Sequence, residues 1–289
     1  MFSMSKILLP TDFSPGSLDV ARASIALAAH FGSEIILLHV LATQGAPDFG
    51  ASLADDGVVA RKRVEAERQL SEFLNEGTGR LIVKRVVVEG DVAEQIVRYA
   101  DAEKVDLVCM PTHGHGAFRR LLLGSITAKV LHDANCPVWT GTHTQFVGQR
   151  ADLPCTPRQI ACAIDLGHRS DRVIGWANRL ACEFGAALNV IHVVVSLDPR
   201  QEDYYLSPEW RAELIETARS EMKELLETTG VIGKIAVEIG PVPAAVAASA
   251  KLVKADMLVI GRSRGNLGGH LPTNAYAIIR DSPCPVLSV

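Results

Sequence analysis

With 289 residues, 29 Lys and Arg against 33 Asp and Glu, and a formal net charge of −4, the chain has no net basic field to hold nucleic acid or an anionic membrane. Hydrophobic residues make up 48% and aromatic residues 5%, the balance of a compact α/β protein built on Val, Ile, Leu and Ala rather than of a disordered chain. This length suits two domains of about 145 residues, each able to bury its own core.

The six cysteines form no C-x-x-C pair and mostly lie in apolar runs, which points to reduced thiols and no zinc. Met1–Lys6 leads straight into a strand-like run without signal-peptide architecture, and no apolar stretch reaches the roughly 18 residues of a membrane span. A soluble, cytoplasmic protein is expected.

In chain order, the runs ILLP, EIILLHV, LIVKRVVV, DLVCM and PVWT are of strand length and mostly apolar on both faces, as buried parallel strands are. Between the first two, Ser14-Pro15 predicts a helix start, Val20, Leu27 and Phe31 a buried stripe, and Gly32 the stop. A second, charged helix is predicted from about Val58 to Glu76. Asp91 is expected to cap a third with Val92, Ile96 and Ala100 on its inner face, and Ser125 a fourth over Ile126 to Ala134. The order βαβαβαβαβ gives a five-stranded parallel sheet with helices on both faces and ligands at the carboxyl ends of the strands.

The pattern then repeats. Shifting the sequence by 153 positions aligns the run from Lys6 with the run from Gln159, so that Asp12 meets Asp165, Phe31-Gly32 meets Phe184-Gly185 and His39-Val40 meets His192-Val193. Gly90 and Asp106 match Gly240 and Asp256 at an offset of 150, and Cys136-Pro137-Val138 matches Cys284-Pro285-Val286 at 148. Two domains follow, 1–143 and 158–289, with the polar residues 144–157 as a linker.

The rim of the first copy is made by Pro10-Thr11-Asp12 after strand one and by the loop from Pro111 to Ser125 after strand four. Gly114, Gly116 and Gly124 allow close backbone approach, and a helix N-terminus offers free N–H groups to phosphate. Ser125 is either a plain cap or a further donor. Asp12 either accepts from vicinal hydroxyls or caps the helix after Ser14. His113 and His115 could reach a phosphate but read more readily as solvated or structural loop positions, and Arg119-Arg120 as a solvent-facing pair rather than a phosphate contact.

These residues resemble a tandem member of the universal stress protein family, whose ATP-binding signature is G-x2-G-x9-G-[S/T] after the fourth strand. The likeness spans essentially the whole chain. Gly114, nine residues and Gly124-Ser125 match, while Pro111 stands at the first glycine and offers no N–H. The resemblance implies two Rossmann-like domains of the adenine nucleotide alpha hydrolase-like kind. It further implies that ATP, or ADP or AMP, binds the first copy, with Mg as its companion cation.

By the same resemblance, Asp12 would hold the ribose, the Val40 backbone the adenine, and Gly114, Gly124, Ser125 and Ile126 the phosphates. Pro10, Thr11, Met110, Pro111, His113 and Thr127 complete the set. It implies pairing of the last strand of each copy in an intramolecular pseudo-dimer, with a homodimer of chains as an extension.

In the second copy Gly261 restores the first glycine, but Arg264 and Pro272-Thr273 replace the others, and weak or absent ATP binding is expected there. Tyr204, Tyr205 and Trp210 mark a segment for loop packing or protein contact.

Three functions compete: a stress-related protein switched by adenine nucleotide, a scaffold acting through protein contacts, and a slow ATP hydrolase. The last lacks an SGGxDS-like loop after strand one. No catalytic residue and no metal ligand is assigned.

Overall fold

The computed structural model describes residues 2–42, 56–75, 78–114, 123–141, 157–195, 208–262 and 273–289. The chain forms two compact units, one of them Ser3–Gly141 and the other over the C-terminal half. The expected linker 144–157 lies outside the described residues except for Pro157.

In the first unit β1 (Lys6–Pro10), α1 (Pro15–Phe31), β2 (Glu34–Ala42), α2 (Asp56–Glu72), β3 (Val83–Gly90), α3 (Val92–Ala102), β4 (Leu107–Pro111), α4 (Ser125–Asp133) and β5 (Val138–Gly141) follow in order. The strands lie in the order β3-β2-β1-β4-β5, all neighbours parallel.

The second unit repeats this with β6 (Gln159–Ile164), α5 (Ser170–Phe184), β7 (Ala187–Val195), α6 (Pro208–Thr229), β8 (Lys234–Gly240), α7 (Val242–Leu252), β9 (Met257–Ile260), α8 (Thr273–Asp281) and β10 (Val286–Ser288). Its order is β10-β9-β6-β7-β8, again parallel. In each unit the chain reverses its direction across the sheet beside the first strand, and the crevice opens at the carboxyl ends of β1 and β4, or of β6 and β9.

The central strands are apolar because helices cover both faces: Ile7, Leu8, Ile35, Ile36, Leu37, Leu38, Ile160 and Val190 are wholly buried. The edge strand β3 is mixed, and it starts at Val83 rather than Leu81, leaving Ile82 70% exposed. A carboxylate staples the start of each sheet. Asp106 Oδ2 accepts from the Ser5 and Lys6 N–H groups (2.7 and 3.0 Å), and Asp256 Oδ2 accepts from Arg158 and Gln159 (2.7 and 2.8 Å).

Several helix details differ from the sequence expectation. Ser14 caps α1, accepting from the Ser17 N–H, and Gly32 ends it at φ 67°. The buried face, however, is Ser17, Val20, Ala21, Ser24 and Ala28, with Leu27 and Phe31 half-buried. Small side chains bring α1 close to the sheet, and the Ser24 hydroxyl donates to Val20 O (2.8 Å). α2 stops at Glu72 instead of Glu76 because the chain turns at Leu74, at φ 60°, which buries that leucine.

Asp91 caps α3 as expected, but Ala93 rather than Val92 joins Ile96 and Ala100 inside. The Asp91 carboxyl is held below its ordinary value of 3.8, chiefly by the Glu94 N–H and then by Lys129. A depressed folded value means a stabilisation that is complete above 3.8 and lost as the pH falls through the folded value. Asp91→Asn is therefore expected to lower the urea midpoint at neutral pH, by an amount that shrinks as the pH falls below 3.8. A difference that does not change with pH would show that charge has no part in the cap.

Candidate functional site

β1 ends at Pro10, opposite Leu38, whereas β2 runs on to Ala42. The Leu38 carbonyl points toward β1, since it accepts the Thr11 N–H at 2.9 Å. Directions alternate along a strand, so the N–H and C=O of Val40 point to the same side, past the place where β1 has stopped. An edge of backbone is thus turned into the crevice at the residue singled out for adenine.

The loop after β1 is built around Asp12. Its Oδ1 accepts from the Ser14 N–H (3.0 Å) and the Ser17 hydroxyl (2.5 Å), which turns the chain into α1. Phe13 adopts φ 61° and stacks on His39 at 4.4 Å. His39 Nδ1 donates to Thr11 O (2.8 Å), a role fixed by the carbonyl, which can only accept.

The second copy keeps this scaffold. Asp165 Oδ1 accepts from Gly167 N–H (2.9 Å) and the Ser170 hydroxyl (3.2 Å), Leu166 has φ 57°, and His192 Nδ1 donates to Ile164 O (3.0 Å). Ser17 and His39 were not singled out in the sequence. Their signal was in the repeat, which sets Ser17 on Ser170 and His39 on His192.

The second side of the crevice comes from β4 and α4. Met110, Pro111 and Thr112 are buried, and Gly114 reaches back to the first loop, where an added Cβ would lie 2.7 Å from Asp12 Oδ2. Pro111 closes β4 opposite Gly141, and its carbonyl accepts the Thr127 hydroxyl (3.0 Å). His113 Nδ1 lies 2.8 Å from the Thr112 hydroxyl. His115, Gly116, Arg119 and Arg120 lie outside the described residues, as do Arg264 and Pro272 in the second copy and Tyr204 and Tyr205.

Gly124, not Ser125, is the N-cap of α4, and no side chain caps it. Its φ of −59° and ψ of 140° are open to any residue. Space beside it is limited. An added Cβ would stand 3.3 Å from Thr112 O and 3.5 Å from His113 Cα, and the Gly124 N–H donates to Thr112 O (2.8 Å). The first bond inside the helix is Ala128 N–H to Gly124 O (2.8 Å). The N–H groups of Ser125, Ile126 and Thr127 therefore precede the helical ladder, and Ser125 and Ile126 are exposed. This end of α4 presents oriented donors and a positive dipole end beside Gly114, an arrangement suited to an anion.

Thiols beneath the crevice are inert by burial, which pushes both Cys109 and Cys162 up to about 12. Iodoacetamide at about pH 8 should label exposed Cys182 readily and reach Cys109 and Cys162 only after urea is added. Equal rates for all three would contradict the packing of β4 and β6.

Among the described residues no helix is long and apolar enough to cross a membrane. Universal stress protein MJ0531 of Methanocaldococcus jannaschii is 31% identical over 136 residues, 46% of this chain and 79% of that protein. The crystal structure of a universal stress protein from Archaeoglobus fulgidus DSM 4304 superposes with a TM-score of 0.72 at 23% identity, over 99% of this chain and 98% of that one. A universal stress protein crystallised in complex with cAMP matches 47% of this chain and 95% of its own, at 20% identity and a TM-score of 0.32. The universal stress protein family model matches residues 4–140 and again 157–289, so the repeat read along the chain is a repeat of that domain, and the chain belongs to the universal stress protein family.

Proposed function

We propose that the N-terminal unit binds ATP and that occupancy of the site switches an interaction of the protein in a cytoplasmic stress response. The adenine lies against the Val40 backbone, and the ribose hydroxyls meet Asp12 beside Pro10 and Thr11. The phosphates lie over the N–H groups of Ser125, Ile126 and Thr127, within the loop of Met110, Pro111, His113, Gly114 and Gly124. The observation that carries this reading is the uncapped start of α4, held against Thr112 by a glycine whose side chain would fill the gap.

The cradle fits a polyphosphate, since backbone donors at a helix start favour negative charge without a fixed cation. Mg enters as the companion of the triphosphate. Among the described residues no group of three His, Cys, Asp or Glu side chains is placed to hold it. No side chain is assigned a catalytic step. ADP and AMP share the adenine and ribose contacts and differ in how many phosphates reach α4.

The test is to heat-denature the purified protein, chromatograph the supernatant for adenine nucleotide, and titrate ATP, ADP and AMP by calorimetry. One nucleotide per chain is expected. No released nucleotide together with no heat of binding would overturn the proposal in favour of a scaffold acting through protein contacts.

A further inference from the structure

The second copy has lost the phosphate loop pattern, yet a crevice remains among the described residues. A cavity of about 270 Å³ opens at the carboxyl ends of β6 and β9. Its inner wall is apolar, formed by Val173 of α5, Val246 of α7, Ile260 of β9 and Ile278 of α8.

Among the described residues its charged lining is Arg169, Arg262 and Asp165. Oδ1 of that carboxylate is already engaged by Gly167 and Ser170. Arg262 is anchored through its backbone, whose N–H donates to Val289 O (2.8 Å), and its Nε is buried. A guanidinium partly withdrawn from water binds a carboxylate more strongly than a solvated one does, and its planar fork suits two parallel hydrogen bonds.

The substitutions between copies all move the site in one direction. Gly261 stands where the first copy has Pro111, and an added Cβ would come within 3.0 Å of Val173 Cγ2, so the glycine preserves the opening. Arg262 replaces Thr112, and Ala275 replaces Thr127, whose hydroxyl holds the strand-end carbonyl in the first copy. A phosphate cradle has been exchanged for an apolar cup with a cation at its rim.

We propose that the cavity of the C-terminal unit binds a small organic monocarboxylate, with its apolar body among Val173, Val246 and Ile260 and its carboxylate on Arg262. Asn274, at the start of α8, lines the same cavity. This inference does not depend on nucleotide binding by the first copy.

The experiment is calorimetric titration of the full chain with benzoate and with hexanoate, each compared with its uncharged amide. It is run in the wild type, in Gly124→Val, and in Arg262→Gln and Arg262→Lys, with thermal unfolding to confirm that each variant is folded. At least one acid should bind once per chain, at least about tenfold more tightly than its amide. That binding should persist in Gly124→Val and with ATP present, fall by about tenfold or more in Arg262→Gln, and fall less in Arg262→Lys, which keeps the charge without the fork. Absence of binding by both acids, equal binding of acid and amide, or full affinity in Arg262→Gln would overturn the proposal. So would displacement of the acid by ATP in the Gly124→Val background, since the cavity would then be a nucleotide site.

Discussion

If the N-terminal unit binds ATP as proposed, Gly124→Val is expected to lower that affinity about a hundredfold while leaving the chain folded. The added Cβ would come within 3.3 Å of Thr112 O, 3.5 Å of His113 Cα and 3.6 Å of Thr127 Oγ1, and valine adds two methyl groups beyond it. The backbone angles of Gly124 are acceptable to valine, so the helix itself is not strained. The strain falls on the Thr112-His113 backbone, which must move away from α4.

Overpacking of this kind costs about 1–3 kcal/mol, and each hydrogen bond lost to a charged ligand costs about 1.5–3 kcal/mol. One such bond lost with partial displacement of another corresponds to about two decades in affinity. Gly124→Ala, which introduces only the Cβ, should lose far less. Calorimetry on the three proteins checks the order, and wild-type affinity in Gly124→Val would remove α4 from the site.

The second prediction separates two roles that Asp12 could hold. Its Oδ1 turns the chain into α1, and Asp165 does the same ahead of α5 with the same pair of partners. Asp12→Ala and Asp165→Ala should therefore destabilise their own units alike, by about 1 kcal/mol each. Only Asp12→Ala should weaken ATP binding, by about tenfold, the worth of a hydrogen bond from ribose to a charged acceptor. Urea unfolding and ATP titration of both variants give the comparison. If Asp12→Ala loses stability but keeps its affinity, the aspartate is a turn-former in both copies and the ribose is held elsewhere.

Much of the fold was legible because buried parallel strands are written as short apolar runs, and because the duplicated chain displays each element twice. Asp12 with Asp165 and His39 with His192 show the gain. Asp12 is read as a rim residue on its own, while His39 gains weight from its match to His192 at the same offset. The misses have particular causes. Helical periodicity favoured Leu27 and Phe31 in α1, whereas packing close to the sheet selected Ser17 and Ser24. Serine and glycine are both good N-caps, and at Gly124-Ser125 the deciding factor was the proximity of Thr112, a residue from a different element. The place of the second copy's cavity follows from the repeat, but its apolar wall, assembled from α5, α7, β9 and α8, had no local sequence signal.

The staple between Asp106 and the entry to β1 has a kinetic consequence. β1 lies in the middle of its sheet, yet the contacts on one of its sides, Ile7 with Leu107 and the N–H groups of Ser5 and Lys6 with Asp106, span about a hundred residues. Closing a loop of that length costs about 4 kcal/mol in chain entropy before any contact repays it, which places each unit among the slower-folding topologies. A growing chain that has reached only α3 holds β1 against β2 with its other edge open and apolar. That interval, repeated when β6 waits for β9, is when the protein is most exposed to association with other chains.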